Sequence, residues 1–178
     1  MGDDELCQPA LLDLPGKFLP LSHMANEPNA GEMVLRPGEV AVALPPNTDA
    51  GVYFIGRIHT PWKSRRDCPK RGSFDGPLCT IVVDECWRAA LTGLADFRRI
   101  QVLYWMHHAR RDLVLQAPAR TGELAGTFAL RSPVRPNPIA SSIVELVSIR
   151  DTTLDVRGLD CLDGTPLLDL KPDRSTGA

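Results

Sequence analysis

Two arginines and an asparagine lie within a proline-rich segment, RSPVRPNPI, at residues 131–139. Each proline fixes its own φ angle and restricts the residue before it, so we expect a stiff, extended loop. A guanidinium group binds two oxygens of a carboxylate or phosphate at once, and a stiff loop loses little entropy on binding. Arg131, Arg135 and Asn137 are therefore candidate anion-binding residues. The alternative is that the prolines only separate two strands while the arginines point into water.

A second group of cations lies in the segment HTPWKSRRDCPKR, at residues 59–71. Five lysines and arginines and a single aspartate accompany a tryptophan there. Positive charge concentrated beside an aromatic side chain is a feature of nucleic-acid-binding surfaces. Trp62, Lys63, Arg65 and Arg66 are therefore candidate contacts for a nucleic acid. A solvated basic loop is the alternative.

The segment TLDVRGLDCLDGTPLLDLKP, at residues 153–172, carries a strong turn signal. Asp163-Gly164 is flanked by alternating apolar residues, a pattern that predicts a β-hairpin. On this pattern alone, ordinary turn chemistry explains Asp160, Asp163 and Thr165.

Histidines and cysteines do not follow a metal-binding pattern. His107 and His108 are adjacent, so in a strand they would face opposite sides and could not share a metal. The five cysteines are an odd number without a C-x-x-C pair, which argues against a disulfide framework and a zinc site. There is also no signal pattern and no apolar run long enough to span a bilayer. We therefore expect a cytoplasmic protein with reduced thiols and no metal.

The elements that must position these residues are predicted to be mainly β-strands. Short runs rich in β-branched and aromatic residues are separated by Gly, Pro and Asp, and the helical spacing that follows Asp84 predicts one short helix. No glycine-rich dinucleotide-binding motif and no nucleophile elbow occurs. The predicted fold is a small single-sheet β-barrel with one short helix and an N-terminal arm. The predicted strands are VYFIGRI, LCTIVV, RRIQVLYWMH, DLVLQA, LAGTFAL, IASSIVELVSI, TLDVRGL and PLLDL.

Charge and composition divide the chain near residue 50. The first 50 residues hold two basic and eight acidic residues, whereas the remainder holds 18 basic and 14 acidic ones. We predict an N-terminal extension at residues 1–50, with a turn or short hairpin at Pro37-Gly38, and a barrel domain at residues 51–178.

Several motifs occur in the order typical of one family. They are Gly56-Arg57-Ile58 with Thr60-Pro61, Pro69-Lys70-Arg71, LYWMHH, FALRSPVRPNPIASS and LDCLDGTPLLDLKP. Residues 52–172 thus resemble the TsaA-like (YaeB/TrmO) family of S-adenosylmethionine-dependent methyltransferases, which act on N6-threonylcarbamoyladenosine beside the tRNA anticodon. The resemblance implies a small β-barrel methyltransferase that works as a homodimer, with its cofactor near the subunit interface.

The resemblance also implies which residues contact S-adenosyl-L-methionine. These positions are Pro69, Lys70, Arg71, His107, His108, Arg131, Ser141 to Ile143, Leu162, Asp163, Gly164 and Thr165. Trp62 and Arg65 become substrate candidates, while Arg135 and Asn137 either brace their loop or contact the substrate. Asp163 or Asp160 is expected to bond ribose hydroxyls. The proton acceptor is left open among His107, His108 and Asp163.

Some positions depart from the family pattern. Ala140 stands where a glycine is usual, Arg71 where a glutamine is frequent, and the chain ends six residues after Pro172, without the C-terminal domain of longer members. Two other functions therefore stay open. One is methylation of another RNA or of a small molecule, and the other is S-adenosylmethionine binding without catalysis.

Overall fold

The computed structural model describes residues 35–119 and 121–175, so the first 34 residues of the predicted extension lie outside it. Three short 3₁₀ helices accompany the strands, at Glu85–Leu91, Leu94–Asp96 and Thr127–Ala129. The nine strands are β1 (Val40–Ala41), β2 (Gly56–His59), β3 (Cys79–Val83), β4 (Arg99–Trp105), β5 (Leu113–Gln116), β6 (Ala125–Gly126), β7 (Ile139–Arg150), β8 (Thr153–Arg157) and β9 (Thr165–Pro172).

Six of these strands close into a barrel, which confirms the predicted mainly-β fold. Their order around the barrel is β2-β3-β8-β7-β4-β9, and every neighbouring pair is antiparallel. Side chains alternate between the two faces, so a barrel this small is filled by its inward residues. Fully buried aliphatic side chains form this core: Ile58, Ile81, Ile100, Val102, Val144, Leu154, Val156 and Leu167.

The barrel is a single closed sheet, as predicted, and it is accompanied by a second, smaller sheet that the sequence did not predict. The second sheet consists of β1, β5 and β6 in the order β1-β5-β6. The expected turn forms at Pro37-Gly38, where the Glu39 amide donates to the Arg36 carbonyl at 3.0 Å. The strand after this turn pairs with β5 instead of forming a local hairpin. Two of the three strands have only two residues each, which is too short for a clear alternation in the sequence.

The short helix begins after Asp84, as predicted, but it has 3₁₀ geometry. Asp84 makes no side-chain capping hydrogen bond. Gly93 ends the segment with a left-handed φ of 81°, as expected of a glycine stop. No helix among the described residues is long and apolar enough to cross a membrane.

The predicted hairpin at residues 153–172 does not form. The turn at Asp163-Gly164 exists, with Gly164 at a φ of 76°, but β8 pairs with β3 and β7, whereas β9 pairs with β2 and β4. The connection from residue 158 to residue 164 therefore crosses one end of the barrel. A turn signal reports local backbone geometry and does not specify which strands pair.

Candidate functional site

The connections that carry the sequence motifs meet at one end of the barrel. β2, β4 and β8 end there, whereas β3, β7 and β9 begin there, because neighbouring strands are antiparallel. The residues after β2, those after β4, the proline-rich loop before β7 and the connection between β8 and β9 are thereby brought together. Segments about 100 residues apart in the chain form one site, as the backbone hydrogen bond from Asp163 to Trp62 shows.

An open pocket lies among these connections. Its walls combine apolar side chains with one carboxylate, two histidines and one arginine. The lining residues are Arg65, Cys68, Met106, His107, His108, Ala109, Pro133, Asp160, Leu162 and Thr165. Apolar walls with a few polar groups are typical of a small-molecule site.

Asp160 is the carboxylate of this pocket, and two neutral groups hold it in place. Its Oδ1 accepts hydrogen bonds from the Tyr104 hydroxyl at 2.6 Å and from Ser142 Oγ at 3.1 Å. Burial, reinforced by the charge of Asp160, raises the pKa of Tyr104, so this hydroxyl keeps its proton at neutral pH. Both donors project inward from β4 and β7, where Val102 and Val144 are fully buried neighbours in the same inward rows.

Asp163 lies three residues further on and has a different role in the structure. Its carboxylate accepts a hydrogen bond from the Thr60 amide at 3.1 Å and one from Lys63 Nζ at 2.5 Å. The bond from Lys63 holds the pKa of Asp163 below its ordinary value. Asp163 therefore joins the turn after β8 to the basic segment after β2.

His107 and His108 both line the pocket, so the prediction that they face opposite sides was wrong. β4 ends at Trp105, and the next residues turn, with the Ala109 amide donating to the Met106 carbonyl at 2.9 Å. The two imidazole rings lie with their centroids 3.8 Å apart. Burial, and then His108, lower the pKa of His107 from 6.5 to about 4. His107 is therefore neutral at pH 7.

The proline-rich loop is braced from within and from outside. Arg135 donates to the Ser132 carbonyl at 3.0 Å and to the Leu130 carbonyl at 2.5 Å. Arg111 donates to the Pro136 carbonyl at 2.5 Å, and its guanidinium carbon lies 5.5 Å from the centre of the Trp105 ring.

Two other polar residues of the loop, Asn137 and Arg131, are exposed. Asn137 Oδ1 lies 3.4 Å from Arg111 Nη2. Arg131 is exposed and makes no hydrogen bond to another described residue. Of the loop's two arginines, Arg131 is thus the one whose guanidinium is available to a ligand.

Other predicted residues surround the pocket without lining it. Pro69 is half-buried, whereas Lys70 and Arg71 are exposed. The next residue, Gly72, packs directly against the backbone after β8. A Cβ at this position would lie only 1.8 Å from the Gly158 carbonyl oxygen. This close approach requires glycine and holds the Pro-Lys-Arg segment at the pocket end of the barrel.

Two further predicted residues make other contacts. Trp62 is half-buried and packs against the core. Ser141 alternates with the inward Ser142, so it lies on the outer face of β7, where its Oγ accepts from Gln101 Nε2 at 2.8 Å. Of the predicted binding residues, those that line the pocket are Arg65, His107, His108, Leu162 and Thr165, together with Asp160, which was one of the two ribose candidates.

Ser142 lies within the predicted range Ser141 to Ile143, but sequence reasoning did not predict that it holds Asp160 together with Tyr104. Tyr104 and Ser142 are polar residues at inward positions of otherwise apolar strands, and this interruption of the alternation is the signal that would have found them. Cys68 was also missed. It lines the pocket, and burial raises its pKa, so its thiol stays protonated at neutral pH.

The fold and the pocket define a small β-barrel protein with an open pocket at one end. A family model described as the tRNA-methyltransferase O N-terminal domain matches residues 57–175, and the chain belongs to this family. The matched range contains every residue that lines the pocket.

Three relatives match different shares of this chain. A probable S-adenosyl-L-methionine-binding protein VirR of Rhizobium radiobacter is 57% identical over 79% of this chain and 81% of its own length. An S-adenosyl-L-methionine-binding protein of Archaeoglobus fulgidus is 38% identical over 66% of this chain and 84% of its own. A mouse tRNA (adenine(37)-N6)-methyltransferase is 35% identical over 47% of this chain and 20% of its own.

Solved structures confirm the likeness of the fold. A crystal structure of TrmO matches with a TM-score of 0.62 and 28% identity, over 74% of this chain and 61% of that one. The TrmO structure from Pseudomonas aeruginosa matches with a TM-score of 0.60 at the same identity. The chain spans about three fifths of the length of these two structures.

Proposed function

We propose that this protein is an S-adenosylmethionine-dependent methyltransferase that acts on tRNA, and that its acceptor is N6 of threonylcarbamoyladenosine in the anticodon loop. The observation that carries the proposal is that the family match contains the whole pocket. Relatives named for S-adenosylmethionine binding, and a relative named as a tRNA adenine-37 N6-methyltransferase, support the two halves of the proposal. A cytoplasmic location would follow from a tRNA substrate.

The residues of the pocket suit this cofactor. Met106, Leu162 and Pro133 offer apolar contact to an adenosine, and Asp160 has one oxygen, Oδ2, without a hydrogen-bond partner among the described residues. The exposed Arg131 can pair with the carboxylate of the cofactor or with a substrate phosphate. When bound, S-adenosylmethionine supplies a methyl group on a positively charged sulfur. The main contribution of the protein is to hold donor and acceptor in line and close together.

The rim of the pocket suits an RNA loop. Arg65 lines the pocket, and Arg66, Lys70 and Arg71 are exposed beside it in the basic segment. Cations at these positions would neutralise backbone phosphates next to the adenine that is being methylated. Lys63 is less available, because it is paired with Asp163. Arg135 and Asn137 remain substrate candidates in an indirect sense: they would affect substrate binding through the conformation of the loop that they help to form.

A homodimer is part of the same proposal. The outer face of β7 exposes aliphatic side chains, with Ile139 at 44%, Ile143 at 38% and Val147 at 51% of full exposure. Next to them, on the outer face of β4, Leu103 and Trp105 are half-buried. A row of exposed aliphatic side chains on a sheet favours burial against a second copy.

The test is methyl incorporation from labelled S-adenosylmethionine into two tRNA preparations, with and without the threonylcarbamoyl group. The proposal predicts label only on the tRNA that carries the group. Label on both preparations would assign another RNA acceptor. Cofactor binding without label on any RNA would support a binding module, the second function, which is favoured by relatives whose names mention binding alone.

A further inference from the structure

The carboxylate of Asp160 lies in the pocket without a cation to neutralise it. Its two hydrogen-bond donors, Tyr104 and Ser142, are uncharged. No ion pair joins Asp160 to a lysine, arginine or histidine in the part of the chain that the structure describes. Asp163, by contrast, has its charge balanced by Lys63 at 2.5 Å. The two neighbouring aspartates therefore leave one unbalanced negative charge, and it belongs to the pocket.

The two neutral hydroxyls replace part of the hydration that this half-buried carboxylate loses, but no positive charge on a described residue pairs with it. Among the other titratable groups that line the pocket, His107 is neutral, because burial and His108 lower its pKa, and the Cys68 thiol is protonated. His108 also lines the pocket and makes no ion pair with Asp160 in the described part of the chain. Arg65 lines the pocket but is exposed and makes no ion pair with Asp160. A positively charged ligand would complete such a site.

We propose that Asp160 makes the pocket selective for the positively charged methyl donor over its neutral product. The inference rests on the proposed function, since it assigns a ligand class to the same pocket. S-adenosylmethionine carries a sulfonium, whereas S-adenosylhomocysteine carries an uncharged thioether at the same place. The Asp160 carboxylate, oriented by Tyr104 and Ser142, attracts the first and gains nothing from the second. This charge preference would reduce inhibition by the product.

The test is calorimetric titration of the wild-type protein and an Asp160→Asn variant with three ligands: S-adenosylmethionine, S-adenosylhomocysteine and sinefungin, which has a protonated amine in place of the sulfonium. The variant should bind the two charged ligands about tenfold more weakly, the size expected when one member of a partly exposed charge pair is neutralised. Its affinity for S-adenosylhomocysteine should change less than about twofold. The asparagine keeps an oxygen that can accept from Tyr104 and Ser142.

Two outcomes would overturn the inference. An equal loss for all three ligands would place Asp160 on a group that they share, such as a ribose hydroxyl or the amino-acid ammonium. Unchanged affinities would show that Asp160 does not contact the ligand. If the wild-type protein binds none of the three, the proposed function fails instead, so the two failures are distinguishable.

Controls separate charge recognition from folding. Tyr104→Phe keeps the charge of Asp160, so it should keep the preference for charged ligands even if the protein becomes less stable. Asp155→Asn is a matched aspartate change outside the pocket, where the carboxylate accepts from Thr80, Ser148 and Arg150. It should leave the preference unchanged.

If Asp160→Asn does not fold, the wild-type protein still decides the matter. Its preference for sinefungin over S-adenosylhomocysteine should fall as the pH is raised through the pKa of the amine of sinefungin, because the ligand then loses its charge. A constant preference across that range would contradict the inference.

Discussion

At the scale of single residues, two aspartates three positions apart have separate tasks. Asp160 lines the pocket and is held by neutral donors, whereas Asp163 is tied to the basic segment through Lys63 and Thr60. Both belong to the motif LDCLDGTP, and the sequence left open which of them meets a ligand. Only the positions of their partners, in the segment after β2 for Asp163 and on β4 and β7 for Asp160, distinguish them.

His107 predicts a pH dependence of stability. Its pKa is lowered from 6.5 to about 4 in the folded protein, so the unfolded chain binds this proton first as the pH falls. Stability from this residue is complete above pH 6.5 and is lost as the pH falls towards about 4. After allowance for the partial exposure of the ring, protonation of His107 should lower the free energy of unfolding of the wild-type protein by about 1 kcal/mol across this range. Chemical denaturation should show that the His107→Gln variant lacks this decrease.

His108→Gln is the matched control for this experiment. It should keep most of the slope, because burial and not His108 is the largest cause of the lowered pKa of His107. If His107→Gln leaves the pH profile of the wild-type protein unchanged, the description of His107 as a half-buried, neutral ring is wrong.

At the scale of elements, the proline-rich loop shows why two arginines of one motif are not equivalent. Arg135 donates hydrogen bonds to the carbonyls of Ser132 and Leu130, and Arg111 supports the loop from outside by donating to the Pro136 carbonyl. Arg131 makes no such contact within the described residues. The loop is thus stiffened by its prolines and by the hydrogen bonds of Arg135 and Arg111. The guanidinium of Arg131 is left available to a ligand.

Two substitutions in this loop test whether Arg131 binds a ligand while Arg135 stabilises the loop. Arg131→Ala should weaken S-adenosylmethionine or tRNA binding while changing the free energy of unfolding by less than about 0.5 kcal/mol. Arg135→Ala should lower the free energy of unfolding by about 2 kcal/mol, because hydrogen bonds from a charged donor to the loop are lost. Titration calorimetry and denaturant unfolding measure the two effects. A large loss of stability in Arg131→Ala would instead make that arginine structural.

The sequence predicted the elements better than their partners. Alternation of apolar residues located β2, β3, β4, β7, β8 and β9, because each has one face in the core. The Asp163-Gly164 turn was also predicted. The sequence did not show that the strands on either side of it, β8 and β9, do not pair with each other. The His107-His108 error has the same origin, since the sequence pattern did not show that β4 ends at Trp105.

At the scale of the whole molecule, antiparallel closure of the barrel creates the site. Three strands end and three strands begin at the same end of the barrel. Motifs that lie far apart in the sequence therefore meet there. Long-range pairing of this kind depends on packing across the barrel, which local patterns do not encode. The family resemblance supplied what the residue patterns did not: it grouped His107, Leu162 and Thr165 before their positions were known.

The outer face of β7 predicts the assembly of the molecule. Ile143→Glu places a charge within the row formed with Ile139 and Val147, so it should convert a dimer to a monomer without loss of the fold. Light scattering after size exclusion, with circular dichroism as the check on folding, measures this. Val114→Glu, at a similarly exposed aliphatic position on β5, is the matched control and should remain dimeric. A wild-type protein that is monomeric at high concentration would contradict the proposed dimer.

The central claim is that the pocket between the barrel connections holds the methyl donor. A crystal structure of the protein with S-adenosylmethionine tests it most directly. The account predicts electron density for the donor against Asp160, His107 and Leu162, with Arg131 nearby. Density for the donor at any other place on the barrel, with this pocket empty, would contradict it.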